Sequence, residues 1–175
     1  MPRTSTRESS AAADAGSAQK TRRNQSIGRV SAEHVAAEHR LDDQVGFLLR
    51  RAYQRASANL LARIGAYGLT PPQFATLARL NERGKLSQNL LGRLVAMEPA
   101  NIRDVVQRLK KRRLVTTGAD PEDGRQLRVS LTPLGRSLVR ELLPINLEST
   151  ARTLAPFSAA ERRILYTLLR RLAEG

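Results

Sequence analysis

The chain has 175 residues, enough for one domain with a core plus tails, and carries 30 Lys and Arg against 16 Asp and Glu, a formal charge of +14. Such an excess suits a polyanion, nucleic acid first and an acidic membrane surface second; with 3% aromatics and no Trp, duplex backbone is favoured over stacked single-stranded bases. The lack of cysteine excludes thiol redox sensing, disulfides and Cys-ligated zinc, and no apolar run approaches the ~20 residues of a membrane span, so a soluble cytoplasmic protein is expected.

Residues 1–30 are rich in Ser, Thr, Ala and Arg and nearly devoid of large apolar side chains, which predicts a disordered basic tail. Ser31 is placed to cap a short helix running into His39. From Leu41 to about Ala66 the pattern is helical: Leu41, Val45, Leu48, Leu49, Ala52, Ala56 and Leu60 form one stripe, and Phe47 and Leu61 fall on nearly the opposite face. A helix apolar on two sides is read either as one core with stray surface apolars or, the preferred reading, as packing against both a core and a dimer partner. Thr70-Pro71-Pro72 starts the next helix, which buries Phe74, Leu77 and Leu80 and stops near Gly84. Ser87 caps a short helix with Leu90, Leu91, Leu94 and Val95. Glu98-Pro99 opens a third, with Ile102, Val105, Val106 and Leu109 inward.

Leu114 to Thr117 and Leu127 to Leu131 are predicted as two strands around an Asp123-Gly124 turn. Thr132-Pro133 begins another helix, which Pro144 is expected to kink or break because its ring removes a donor. Ser158-Ala159-Ala160-Glu161 is a capping box for a last helix, striped by Ile164, Leu165, Leu168, Leu169 and Leu172.

The segment from Leu86 to Leu131 therefore sets a basic helix beside a loop tipped by an arginine, an arrangement suited to double-stranded DNA. A recognition helix presents its early residues to base edges. Here the early outward positions are Pro99, Ala100, Asn101, Arg103 and Asp104. Asn101 suits adenine and Arg103 suits guanine, each pair discriminating by ~1–3 kcal/mol. The competing assignment pairs Arg103 with Asp104, Glu98 or Gln107 on a solvated face. Arg108, Lys110, Lys111, Arg112 and Arg113 lie late in the helix and suit phosphates or solvent, with Arg108 alternatively a structural ion-pair partner. Arg125 at the hairpin tip is the minor-groove candidate, steadied by Asp120, Glu122 and Asp123. Ser87 and Gln88 could donate to phosphate, although Ser87 also serves as a simple cap.

Three pieces, LTPPQFATLARL, LSQNLLGRLVAMEPANIRDVVQRLKKRRLV and DPEDGRQLRVSLTPLGR, resemble the MarR family of bacterial winged-helix regulators. The resemblance covers about three quarters of the chain, from Leu41 onward. It implies a mainly α fold with a small β-hairpin wing, a winged helix-turn-helix flanked by N- and C-terminal dimerisation helices. The corresponding divisions are a tail at 1–30, N-terminal dimerisation helices at 31–66, the DNA-binding domain at 67–132 and C-terminal dimerisation helices at 133–175. It also implies a homodimer on a palindromic operator, acting as a repressor. The implied effector is a small aromatic carboxylate, for example a hydroxynicotinate-like acid, lying between the long dimer helix and the winged domain. His39, Arg40, Arg51, Tyr53 and Phe74 are the candidates to hold it.

Two positions depart from the family pattern: Arg113 stands where glycine is common, and Gly124 leaves Arg125 as the single arginine of the wing tip. His34, Glu38 and His39 make a poor metal set, two histidines without a third strong ligand. With no catalytic constellation or phosphate-cradling loop in view, no enzyme activity and no cofactor are expected. The runner-up function is a nonspecific architectural or RNA-binding winged-helix protein.

Overall fold

The structure, a computed structural model, describes residues 40–119 and 127–175. The tail at 1–30, the expected helix from Ser31 to His39, the weighed metal set and the wing tip with Arg125 lie outside the described residues. The chain divides into two units, Met1–Leu48 and Leu49–Gly175. No described helix is long and apolar enough to cross a membrane.

The first expected helix begins later than its apolar stripe. Leu41–Asp43 forms a 3-10 turn, closed by the Gln44 amide on the Leu41 carbonyl, and Gln44 is extended. The α-helix proper, α1, is Val45–Ile64. Only Ile64 of α1 is buried, and the expected stripe runs largely exposed, with Val45, Leu48 and Leu49 open to solvent. A 3-10 turn, Gly65–Tyr67, ends at Gly68, whose φ of 66° is left-handed and suits glycine.

Helix α2, Pro71–Arg83, starts as its sequence dictates. Thr70 and Gln73 form a reciprocal capping box, with the Thr70 amide donating to Gln73 Oε1 at 3.0 Å. Strand β1, Leu86–Ser87, leads into α3, Gln88–Leu94, capped by Ser87 Oγ accepting from the Leu90 amide at 3.3 Å. Helix α4, Pro99–Lys111, follows, then strands β2, Val115–Ala119, and β3, Leu127–Leu131. The sheet is antiparallel in the order β1-β3-β2, with Val129 opposite both Leu86 and Thr117. The two-residue β1 adds a third strand to the expected hairpin. Strand β2 starts one residue later than expected because the Leu114 amide is already bonded to the Leu109 carbonyl at 3.0 Å.

Helix α5, Pro133–Thr153, is continuous through Pro144, so the expected break does not occur there. Pro144 faces solvent, while Leu142, Ile145 and Ser149 pack inward on both sides of it. The lost donor is thereby offset by burial of both halves against one core. Helix α6, Ala159–Glu174, has the expected capping box at Ser158 and Glu161. The core joins Ile64, Leu69, Leu77, Leu80, Leu91, Ile102, Leu109, Val129, Val139 and Leu142, all essentially inaccessible to solvent.

Candidate nucleic-acid interface

Helices α3 and α4 meet across a tight turn. Gly92 makes the close approach possible: a Cβ there would lie 3.1 Å from Ile102 Cγ2 and 3.3 Å from the Met97 carbonyl oxygen. The Met97 amide donates back to the Gly92 carbonyl at 2.9 Å, and Ala96 takes a left-handed φ of 52°. Pro99 then occupies the first turn of α4, where its missing N–H costs nothing.

Period 3.6 divides α4 into two faces. Ile102, Val106 and Leu109 are buried, and Asn101, Arg103, Asp104, Gln107, Arg108 and Lys111 are exposed on the other side. Pro99 and Ala100 are exposed at its start. Arg103, Arg108 and Lys111 enter no ion pair among the described residues, so the local pairings weighed for Arg103 and Arg108 are not formed there. A groove of about 420 Å³ runs along this flank, lined by Gln88 and Asn89 of α3, by Arg103, Val106, Gln107 and Lys110 of α4, and by Thr117 and Leu127 of the wing strands. The geometry thus brings Gln88 and Arg103 together. Ser87, half-buried, caps α3 as an acceptor.

The basic run at the end of α4 divides into distinct tasks. Lys110 Nζ donates to Thr117 Oγ1 at 2.9 Å, tying α4 to β2. Arg112 turns back and donates from both terminal nitrogens, to the Gly68 carbonyl at 2.6 Å and the Tyr67 carbonyl at 2.7 Å. Arg113 has φ 58°, so it adopts the left-handed geometry that glycine would take without strain. Its amide bonds the Lys110 carbonyl at 2.9 Å while Leu114 bonds Leu109, which together make a Schellman ending. The LT-x-x-G-R piece is explained at the same joint. Thr132 Oγ1 donates to the Arg113 carbonyl at 2.6 Å and accepts from the Gly135 amide at 3.0 Å. A Cβ on Gly135 would stand 2.0 Å from the Leu114 carbonyl oxygen.

A second cavity, about 500 Å³, lies among α1, α2, α5, α6 and the turn before α4. Tyr53 and Phe74, both anticipated, line it. Arg51 is exposed and off its wall, Arg40 pairs with Asp43 at 3.8 Å, and His39 lies outside the described residues. Sequence reasoning missed the polar wall: Ser57 of α1, Asn146, Ser149, Thr150 and Thr153 of α5, and Tyr166 of α6. The signal was present, since Asn146, Ser149, Thr150 and Thr153 recur at helical spacing and share a face. Asn59 Nδ2 donates to Thr153 Oγ1 at 3.0 Å, and Arg63 pairs with Glu148, so α1 and α5 are joined beside this wall. Tyr67 donates to Glu141 Oε1 at 2.9 Å, and that hydrogen bond to a carboxylate holds the phenol above its ordinary range.

The short capped helix, the tight turn, the amphipathic basic helix and the three-stranded wing define a winged helix-turn-helix DNA-binding protein. A family model described as MarR family matches residues 67–126. The HTH-type transcriptional repressor NicR of Pseudomonas putida is 37% identical over 133 residues, 76% of this chain and 84% of that protein. The crystal structure of a probable transcriptional regulator from Pseudomonas aeruginosa is 52% identical with a TM-score of 0.71, covering 76% of this chain and 99% of that one. Bordetella bronchiseptica BpsR, whose DNA binding is regulated by 6-hydroxynicotinic acid, is 38% identical with a TM-score of 0.74, covering 78% and 98%. The chain belongs to the MarR family.

Proposed function

We propose that the protein is a homodimeric transcriptional repressor, working in the cytoplasm, that binds a palindromic operator and leaves it when a small aromatic acid of the hydroxynicotinate type fills the cavity. The observation that carries this reading is the exposed polar face of α4, set opposite Ile102, Val106 and Leu109 in a helix-turn-helix frame. Pro99, Ala100, Asn101, Arg103 and Asp104 lie at the base-reading end, Arg103 toward guanine and Asn101 toward adenine. Arg108 and Lys111 reach phosphates, as do Ser87 and Gln88 beside the groove, and Arg125 enters the minor groove. Tyr53 and Phe74 hold the aromatic ring of the effector, and the hydroxyls of Ser57 and Thr150 meet its polar edge. The likeness to BpsR supports the effector class.

Fluorescence anisotropy with DNA from upstream of the protein's own gene, scrambled duplex as competitor and 6-hydroxynicotinic acid as titrant tests the reading. Preference for the upstream DNA by ~10³-fold or more, reversed by the acid, is the expected result. Salt-sensitive binding that ignores sequence would replace it with the architectural function. Arg103→Ala is expected to cost ~1–3 kcal/mol at one base pair per half-site. Unchanged discrimination at every operator position would remove Arg103 from the reading set.

A further inference from the structure

The two ends of α4 are held in different ways. At the C-terminal end, the Arg112 guanidinium spans two backbone carbonyls, Thr132 grips the Arg113 carbonyl, and Lys110 bonds Thr117. Hydrogen bonds from a charged donor are the stronger kind, and two from one planar guanidinium also fix orientation. The carbonyls that Arg112 holds belong to the turn that finishes α1. The Tyr67 side chain binds that same turn to Glu141 of α5. At the N-terminal end, no side chain caps the helix, and the preceding turn, Val95, Ala96 and Met97, forms part of the cavity wall.

We propose that Arg112 is the pivot of the recognition helix, and that the turn Val95 to Met97 is the surface through which an occupant of the cavity swings the base-reading end of α4. This inference rests on the DNA-reading role proposed above and adds how that role is controlled. Eleven residues separate Asn101 from Arg112, a lever of about 16 Å at 1.5 Å per residue. A swing of about 4° at the pivot moves Asn101 by about 1 Å, enough to carry a bidentate contact out of hydrogen-bonding range. Arg112 is thus a positioning residue for DNA reading, engaged with the protein's own backbone. Lys111, next to it, is exposed and suited to phosphate.

The test uses the full chain and needs no ligand, because a phenylalanine side chain can occupy the cavity. Ser57→Phe on the α1 wall is the filling variant, and Ala75→Phe on the α2 wall replaces it if the first does not fold. Affinity for the upstream DNA is measured for Ser57→Phe, Arg112→Gln and the double variant, with sedimentation confirming an unchanged oligomer. Filling is expected to weaken binding tenfold or more in the parent, and threefold or less once Arg112 is glutamine. Arg112→Gln alone lowers affinity while the slope of log affinity against log salt stays at its parent value; Lys111→Ala, which removes one phosphate contact from each protomer of the dimer, reduces that slope by ~1.8. Arg112→Lys, which keeps a cation able to donate to the carbonyls, regains part of the loss. Equal weakening in both backgrounds, no effect of filling, or a reduced slope in Arg112→Gln would each overturn the pivot. If the parent does not prefer the upstream DNA, the proposed function fails, and hydrogen exchange then decides the inference separately. Faster exchange at 108–114 in Arg112→Gln together with altered exchange at 95–101 in Ser57→Phe upholds it, and unchanged exchange at either place overturns it.

Discussion

At Arg113 a side chain sits where the backbone is left-handed, φ 58°, because the Schellman ending of α4 needs that geometry wherever the helix stops. An L-residue pays roughly 1–2 kcal/mol for it, and glycine escapes most of that cost while gaining freedom in the unfolded chain. Arg113→Gly is therefore expected to stabilise the fold by about 0.5–1 kcal/mol, raising Tm by ~1–4 °C in a thermal melt. An unchanged or lower Tm would mean that the Arg113 side chain contributes as much as the strain removes. A second residue-scale test lies at the start of α6, where the Ser158 amide donates to Glu161 Oε2 at 2.7 Å and Ser158 Oγ accepts from the Glu161 amide at 3.3 Å. The hydrogen bonds from the Ser158 side chain and backbone hold the Glu161 carboxyl below its ordinary 4.5. A lowered carboxyl contributes stability that is present above pH 4.5 and disappears as pH falls through the depressed value. NMR titration of the Glu161 side chain should give a midpoint under 4.5 that moves up toward it in Ser158→Ala; a midpoint at 4.5 in the parent removes the box as the cause.

Between elements, the joint of α4, β2 and α5 has no slack. Gly135 packs so closely on the Leu114 carbonyl that a methyl group would force backbone apart, so Gly135→Ala should cost about 3 kcal/mol, at the upper end for overpacking. Denaturant melts check this, and a cost below about 1 kcal/mol would show that α5 can shift along the end of α4. The requirement at this joint was visible in the sequence as the Leu-Thr-x-x-Gly-Arg pattern, although its reason was not. Helices α2, α3 and α4 were legible for local causes: a capping Thr or Ser, a proline at the first position, and apolar residues at period 3.6. What escaped was decided by contacts distant in sequence. Pro144 suggested a break, yet packing by residues on either side of it keeps α5 continuous. Strand β1 exists because β3 offers it a free edge, a condition that no property of Leu86 or Ser87 announces. The cavity wall contributed by α5 was legible as a polar stripe, but only the fold supplies the α1 and α2 walls that face it.

For the molecule as a whole, the formal charge of +14 and the unburied face of α6 point to different partners. Arg103, Arg108 and Lys111 place cations on the outer side of α4, where a duplex would release counterions, so operator affinity should fall steeply with salt. Helix α6 is sixteen residues long and buries none of them fully within the chain; Ile164, Leu168 and Leu172 are each more than half exposed. A helix of that length gains its stability from packing, and isolated helices near it in length are marginal in water. In the proposed dimer, a second copy of the chain laying its own α6 and α1 faces against these would supply the missing burial and set two recognition helices for two half-sites. Leu168→Glu removes about 2 kcal/mol of apolar burial from each protomer, roughly 4 kcal/mol per dimer, and sets a carboxylate in each face. The dimer dissociation constant should rise at least about 1000-fold, with helical circular dichroism lost as α6 frays in the separated chains. Analytical ultracentrifugation over a concentration series measures the constant. A Leu168→Glu protein that sediments as the parent dimer would place the interface on some other face and leave the exposure of α6 to a different partner.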